Sequence, residues 1–455
     1  MTLIIILFMS LLIAITRFLI SDRLSKIIIS LYLMWWTMWL TLSTLNVYDL
    51  FPVSIKTYFL LLLNIAMVLM GFLYGSIFSS RNRINNVYLN DIKVSMNKAF
   101  KILLIGSVAI LTYYYIKYMT ISISSPGLDL RMERFRVGLL FSSTEELLFF
   151  YYFIEAFVYV LYAVVAYMIF YKDIKNITFA MALGSILLYA GVGSGRGQII
   201  YLLVAIALVY FIRTKDIKKN VSTINQITQV RSKKNKKTRI FSLFAIFIPG
   251  VLVYAAWLTA VRLGFREFNI EAIQIGADEL FKQFIVYYTG PFRALDYGLE
   301  HFVPNTGYLW GRGTFAGIDE IINMAFHVIG LNFKSANGII GEMLQETQIL
   351  IGYNQTFNYA YTSVMIHYFD LGIAGVIVFP FLYGLFVRIS IFLFQKTPSL
   401  PTLIIVVFLF QTMIFSVFSW GLQSPASNIV LISCYLWHRY TNKKVKRIKN
   451  NSVDV

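Results

Sequence analysis

Three stretches of this sequence combine residue types and spacings suited to holding an anion. The first runs from Asp129 to Arg136, after a turn signal at Ser125–Pro126–Gly127, and carries Arg131, Arg134 and Arg136. Read as a helix from residue 129, it places Arg131 and Arg134 on one face, with Glu133 interleaved to space the positive charge. Such a cluster suits a pyrophosphate clamp, and equally an amphipathic interfacial helix pairing with Glu145 and Glu146.

The second stretch, Gly191 to Gly197, sets Arg196 among glycines between two short apolar runs. Bare backbone at Gly195 and Gly197 allows a ligand to come close, and the N–H groups opening a helix at Gln198 would add to the charge of Arg196. The spacing is neither G-x-G-x-x-G nor G-x-x-x-x-G-K-[ST], so a nucleotide loop is excluded. The other reading is a helix break with a snorkelling arginine. In the third stretch Arg262 and Arg266 lie four apart, on one helical face, where an apolar run gives way to polar sequence. That is the height of a lipid headgroup, although plain anchoring at the membrane boundary also suits it.

Groups able to move a proton are fewer. Asp370 lies in the apolar stretch Tyr368 to Gly372, where an acid near a bilayer is a functional candidate and also a natural cap before Gly372. Glu267, Asp296, His301 and Asp370 are the candidate general bases, and the residues alone do not rank them. His301, His327 and His367 are isolated, no H-E-x-x-H or D-x-D pair occurs, and two-metal phosphoryl chemistry is not expected. G-x-S-x-G is absent, since the run at Gly191 has glycine at its middle position.

The elements that must position these groups follow from composition. Hydrophobic residues make up 58% of the 455 positions and charged residues 14%, against about 25% charged in soluble domains. Crossing about 30 Å of hydrocarbon takes roughly 20 apolar residues, and such runs recur from end to end. Lipid offers the backbone no hydrogen-bond partner and no barrel-type alternation is visible, so the runs must be helices. The expected fold class is all-α, a polytopic membrane bundle of about eleven spans: 3–20, 27–45, 57–79, 102–121, 147–171, 178–192, 197–212, 240–261, 361–394, 402–420 and 426–438. The pair 178–192 and 197–212 could instead form one re-entrant hairpin, which leaves every later loop on the same side. The first run lacks a basic leader and a small-residue cleavage site, and reads as an uncleaved span.

The net charge of +18 follows the positive-inside pattern rather than that of a nucleic-acid binder. Alternating the spans puts ten arginines and eighteen lysines on one side, the cytoplasm, and eight arginines with four lysines on the other. The amino terminus is then outside and the carboxyl terminus inside. Arginine's planar fork grips phosphate or carboxylate in two-pronged fashion, so the arginine-rich outer face looks built for an anion. The basic run 231–239 abuts a span and reads as a topology signal in contact with headgroups. Cys434, the single cysteine, lies inside the last apolar run, so no disulfide and no cysteine-based metal site is expected.

Three regions result: membrane helices over 1–261, a large extracytoplasmic loop over 262–357, and membrane helices with a basic cytoplasmic tail over 358–455. The loop carries turn signals at Thr289–Gly290–Pro291, Pro304–Asn305–Thr306–Gly307 and Gly311–Arg312–Gly313. Between Phe315 and Ile329 the apolar residues Phe315, Ile318, Ile321, Ile322, Ala325, Phe326 and Ile329 keep helical spacing while Asp319 and Glu320 point away. This predicts a helix lying on the membrane as a platform.

Gly193 to Gln198, Tyr288 to Phe292 followed by Leu295–Asp296, Tyr308 to Gly311, and Tyr361 to Gly375 together resemble stretches of the bacterial oligosaccharide repeat-unit polymerases, the Wzy-type O-antigen and capsule polymerases. The resemblance covers about the C-terminal 60% of the chain, and its motifs are loose. It departs from the family at Phe326 to Leu331, where a proline-bearing stretch is expected, which leaves Asn323 to Lys334 unaligned.

The resemblance implies a metal-independent membrane glycosyltransferase without cofactor, working on the outer face of the bacterial cytoplasmic membrane. Its substrate would be a polyprenyl-pyrophosphate-linked oligosaccharide, and its partners the lipid bilayer, a chain-length regulator and a flippase, with no nucleic acid. On that reading Arg196, Arg262 and Arg266 face the leaving pyrophosphate, joined by Asp370 and His301 as catalytic candidates. Arg131, Arg134, Arg136, Arg293, Gly195, Gly197, Tyr288 and Asp296 would contact substrate. An O-antigen ligase-type enzyme would share the fold and donor. A lipid-linked oligosaccharide flippase should show internal repeats, which are not found. A non-catalytic membrane partner in an export complex is the third alternative.

Overall fold

The computed structural model describes residues 1–80, 98–124, 137–170, 176–192, 197–223, 269–301, 307–331, 333–343, 348–353, 355–357 and 361–451, with scattered positions between 253 and 265. The expected span 240–261 falls mostly outside these residues, as do the run 231–239 and Arg131, Arg134, Arg136, Gly195, Arg196, Arg262, Arg266 and Glu267.

Helices dominate the described residues, as the composition requires. Six are long and apolar enough to cross a membrane: Thr2–Leu19, Arg23–Thr44, Ile55–Ile77, Lys98–Ser122, Thr144–Phe170 and Ile373–Lys396. Three shorter apolar helices, Ile177–Val192, Gly197–Arg213 and Leu400–Phe415, stand beside them. Helix starts are set by local chemistry: the Asp22 carboxylate accepts from Ser25 N at 3.0 Å, and Ser399 and Thr402 form a reciprocal capping box ahead of Leu400–Phe415. Every residue of Leu400–Phe415 is buried, so this helix is apolar all round because it is surrounded by protein.

Two expectations change. The expected span 361–394 is two helices, Ser363–Leu371 and Ile373–Lys396, broken at Gly372 with φ 60° and ψ −138°. A side chain would be strained at that φ, and a Cβ would lie 2.8 Å from the Tyr308 hydroxyl. The turn signal at Thr289–Gly290–Pro291 lies inside a continuous helix, Ile270–His301. Proline removes one ladder donor there, while the Thr289 hydroxyl bonds Ile285 O at 2.8 Å and Arg293 Nη1 bonds Thr289 O at 3.1 Å. Side chains and packing thus hold the helix through a sequence that locally reads as a turn.

A helix over Ala316–Val328 stands where the spacing predicts the platform. Phe315, which caps it, and its apolar residues Ile318, Ile322 and Phe326 are exposed. A small antiparallel hairpin, Ile349–Gly352 with Gln355–Phe357, pairs with Leu50 through Gly352. The sequence pattern did not suggest these strands.

The tightest helix contact lies between Ile55–Ser80 and Ile373–Lys396. A Cβ on Gly71 would sit 1.8 Å from Phe381 O, and one on Gly384 would sit 2.0 Å from Val68 O. Without hydrophobic drive between helices in lipid, such close backbone packing carries association. Gly384→Leu or Gly71→Leu is therefore expected to abolish the monodisperse peak in fluorescence-detected size exclusion. Gly106→Ala, whose added Cβ meets nothing within 4 Å, should run like the parent chain.

Candidate functional site

The described site residues fall into separate places. Arg293 is 4% exposed and sits between the ends of three elements. Its Nε bonds Phe51 O at 2.7 Å, and its Nη2 bonds Ser43 O and Asn46 Oδ1, each at 3.0 Å. Burial pulls the guanidinium down to about 10, which leaves it charged at neutral pH. These partners are internal, so Arg293 works as a crosslink. Asp296, one turn on, accepts from Ser54 N at 3.0 Å and Thr57 Oγ1 at 2.6 Å, and also from the Ser54 hydroxyl. It secures the start of the helix Ile55–Ser80. Tyr288 is buried and stacks on Trp39 at 4.4 Å between centroids. His301 is exposed at the end of its helix, with its ring over Tyr297 and a ring nitrogen 2.8 Å from Tyr297 O.

Asp370 is fully buried, and its carboxylate accepts Gly313 N at 2.7 Å and Thr314 N at 2.6 Å. It lies outside the spanning helix that begins at Ile373. Burial pushes its carboxyl above the ordinary carboxylate range, against the pull of these backbone donors. Leu309 N and Trp310 N bond Phe369 O and Asp370 O, each at 3.0 Å. The Trp420 ring N–H bonds Thr314 O at 2.7 Å. Asp370 therefore pins the Leu309–Thr314 turn that leads into the platform.

A cavity of about 510 Å³ opens beside the platform, inside the roughly 300–1,000 Å³ range of small-ligand sites. Phe150, Tyr151, Tyr152 and Glu155 line one wall, Tyr189 and Val192 another, and Gln198 a third. Glu320 of the platform, Asn337 of the helix Ala336–Met343, and Ser424 close the remaining side. The first wall contains a π-helical turn, Phe150–Ile154. Such turns insert one residue and re-aim side chains, frequently at functional sites.

Polar contacts hold the walls in place. Tyr159 donates its hydroxyl to Glu155 Oε1, and Tyr162 donates to Gln198 Oε1. Tyr152 donates to Glu320 Oε1 at 2.9 Å, and Asn337 Nδ2 donates to Glu320 Oε2 at 2.5 Å. Glu320 thus turns toward the membrane helices rather than away from the platform's packed side, while Asp319 is held by Arg312 Nε at 2.7 Å and Ala336 N at 2.6 Å.

Val192 and Gln198, the residues flanking the Gly193–Gly197 run, both line the cavity. A Cβ on Gly191 would lie 2.5 Å from the Tyr115 ring, whereas one on Gly197 would meet nothing within 4 Å. Packing accounts for the first glycine and leaves open space at the second. Glu155 and Glu320 are not among the residues singled out by sequence. Glu155 did carry a signal, an acid inside the apolar run 147–171; Glu320 looked like the solvent side of an amphipathic helix.

No family model, curated protein or solved structure is detectably similar to the chain.

Asparagine at position 370 would offer one acceptor oxygen and place an NH2 against the second backbone donor. Asp370→Asn, and Arg293→Ala, which strands buried carbonyls, should each cost about 1–3 kcal/mol. The expected readout is an apparent Tm lower by several degrees in detergent. Asp370→Asn should also increase protease nicking between Tyr308 and Phe315, and a Tm equal to the parent's would refute these pinning roles.

Proposed function

We propose that this protein is a membrane glycosyltransferase that polymerises polyprenyl-pyrophosphate-linked oligosaccharide repeat units on the outer face of the bacterial cytoplasmic membrane. The observation that carries this reading is the cavity between membrane helices and platform, with tyrosine rings and paired carboxylate and amide groups on its walls. Aromatic rings stack on the C–H face of a sugar, and carboxylates and amides accept and donate around its hydroxyls. This wall chemistry suits a glycan better than an apolar or purely anionic ligand. Val192 and Gln198, which line the cavity, flank in the sequence the Gly193–Gly197 run suited to an anion.

In this reading Arg196, Arg262 and Arg266 meet the pyrophosphate. Cleaving the glycosyl–pyrophosphate bond builds negative charge on the leaving group, and preorganised cations at a water-poor membrane edge stabilise that charge strongly. Arg293, Asp296 and Tyr288 are engaged with the helices Arg23–Thr44 and Ile55–Ser80, and Asp370 pins the turn that leads into the platform.

Purified protein in nanodiscs with lipid-linked repeat units and excess EDTA is expected to produce long lipid-linked glycan. Arg196→Ala and Arg262→Ala should abolish it while eluting as the parent does; chain growth unchanged in both would remove these arginines from the site. For orientation, Asn305→Cys should react with a membrane-impermeant maleimide on intact spheroplasts, since the native Cys434 is buried. Labelling only after lysis would reverse the assignment.

A further inference from the structure

One side of the 510 Å³ cavity is closed by Glu320 of the platform, Asn337 of the helix Ala336–Met343, and Ser424. Glu320 accepts the Tyr152 hydroxyl at 2.9 Å on Oε1 and Asn337 Nδ2 at 2.5 Å on Oε2. Both donors are neutral, so the carboxylate is braced without being neutralised. The cations closest in sequence are committed elsewhere, Arg312 to Asp319 and Lys334 to Glu342. No lysine, arginine or histidine is among the described residues that line the cavity. The same bonds fix what this wall offers a ligand. Asn337 uses both amide hydrogens, one on Glu320 and one on Gln423 O at 3.2 Å, so its carbonyl oxygen is what remains. The Ser424 hydroxyl makes no hydrogen bond among the described residues. Carboxylate and amide oxygens only accept, which suits the hydroxyl or ammonium hydrogens of a sugar and opposes a second carboxylate. Between protein walls of low dielectric, a like charge is repelled far more strongly than in bulk water.

We infer that Glu320 makes this side of the cavity a subsite for a neutral or amino-bearing sugar and turns away sugars that carry a carboxylate, such as uronic acids. This rests on the glycan reading of the cavity above and adds to it the charge class of the sugar and the residue that selects it. Glu155, on another wall, is taken up by the hydroxyls of Tyr159 and Tyr189, and the selectivity does not depend on it. Glutamine at position 320 can keep the brace while losing the charge. Its carbonyl would accept from Asn337, and its amide would donate to the Tyr152 hydroxyl, which can accept as well as donate. Ser424 offers the opposite change. It stands directly before the helix that begins at Pro425, where aspartate is as well suited as serine, so Ser424→Asp adds a second charge to the same wall and leaves the Glu320 brace intact.

The test is saturation-transfer difference NMR on the full chain in nanodiscs, with empty nanodiscs subtracted. The probes are methyl glycosides of the gluco, galacto and manno series, each as the neutral sugar, the 2-amino sugar, the uronic acid and the uronic acid methyl ester. In whichever series binds, the uronic acid is expected to bind about tenfold more weakly than the neutral and amino sugars. Its methyl ester, which keeps the skeleton and loses the charge, should return to within about threefold of the neutral sugar. Glu320→Gln should bring the uronic acid itself to within about threefold, and Ser424→Asp should widen the gap beyond the parent's. Uronic acids that bind the parent as well as neutral sugars overturn the inference, as do esters as weak as the acids. An unchanged ratio in a Glu320→Gln chain that elutes as the parent does also overturns it. Should that variant not elute so, an unchanged ratio in Ser424→Asp does the same. Binding of no sugar in any series defeats the glycan reading of the cavity itself, whereas binding without charge selectivity defeats only this inference.

Discussion

One buried guanidinium holds the interval between the apolar runs to the membrane bundle. Arg293 reaches the end of the helix Arg23–Thr44 through Ser43 O, the following turn through Asn46 Oδ1, and the approach to the next helix through Phe51 O. Taking a guanidinium out of water costs several kcal/mol, so it is tolerated only because its donors are met by fixed acceptors. The rest of the interval inherits that placement. Tyr288 and Phe292 lie against Trp39 and Trp36, Asp296 fixes the start of Ile55–Ser80, and Phe357 packs on Gly290, where a Cβ would lie 2.7 Å from its ring. The hairpin ending at Phe357 then meets Leu50, closing the loop back to the same turn.

A second anchor holds the platform. Asp370 gathers the N–H groups of Gly313 and Thr314, and Gly317 fits against Ser424 and Asn428, where a side chain would clash at 2.2–2.5 Å. With its amino end fixed, the platform helix lays Glu320 toward Tyr152 and its apolar face outward. The cavity is the space left between this anchored helix and the π-turned wall. It belongs to no single element, and therefore its chemistry depends on several distant stretches arriving together.

Much of the architecture was legible in the sequence. The helix expected over 315–329 is found at Ala316–Val328, because spacing of 3.6 survives wherever one face of a helix meets a different medium. Local signals misled where tertiary contacts overrode them. Thr289–Gly290–Pro291 reads as a turn, but a threonine hydroxyl, an arginine and a wall of tryptophans carry the helix through it. The apolar run 361–394 reads as one span, since hydropathy cannot see a glycine at positive φ packed against the Tyr308 ring. The arginines were counted by side and type, and Arg293 looked like its neighbours in that count although its donors are turned inward.

What the sequence determined by itself is what depends on the solvent: an all-α chain rich in membrane-spanning helices, because lipid leaves backbone groups no partner but their own helix, and a surface helix, because an interface imposes a periodic pattern. The choice between inward and outward for each polar group was decided only by the tertiary structure. A carboxylate or guanidinium has the same formula whether it braces a turn, as Asp370 and Arg293 do, or lines a cavity, as Glu155 does. Which of these it does is set by partners on other elements, from 56 residues away for Asp370 to 250 for Arg293, and that information exists only once the helices have packed.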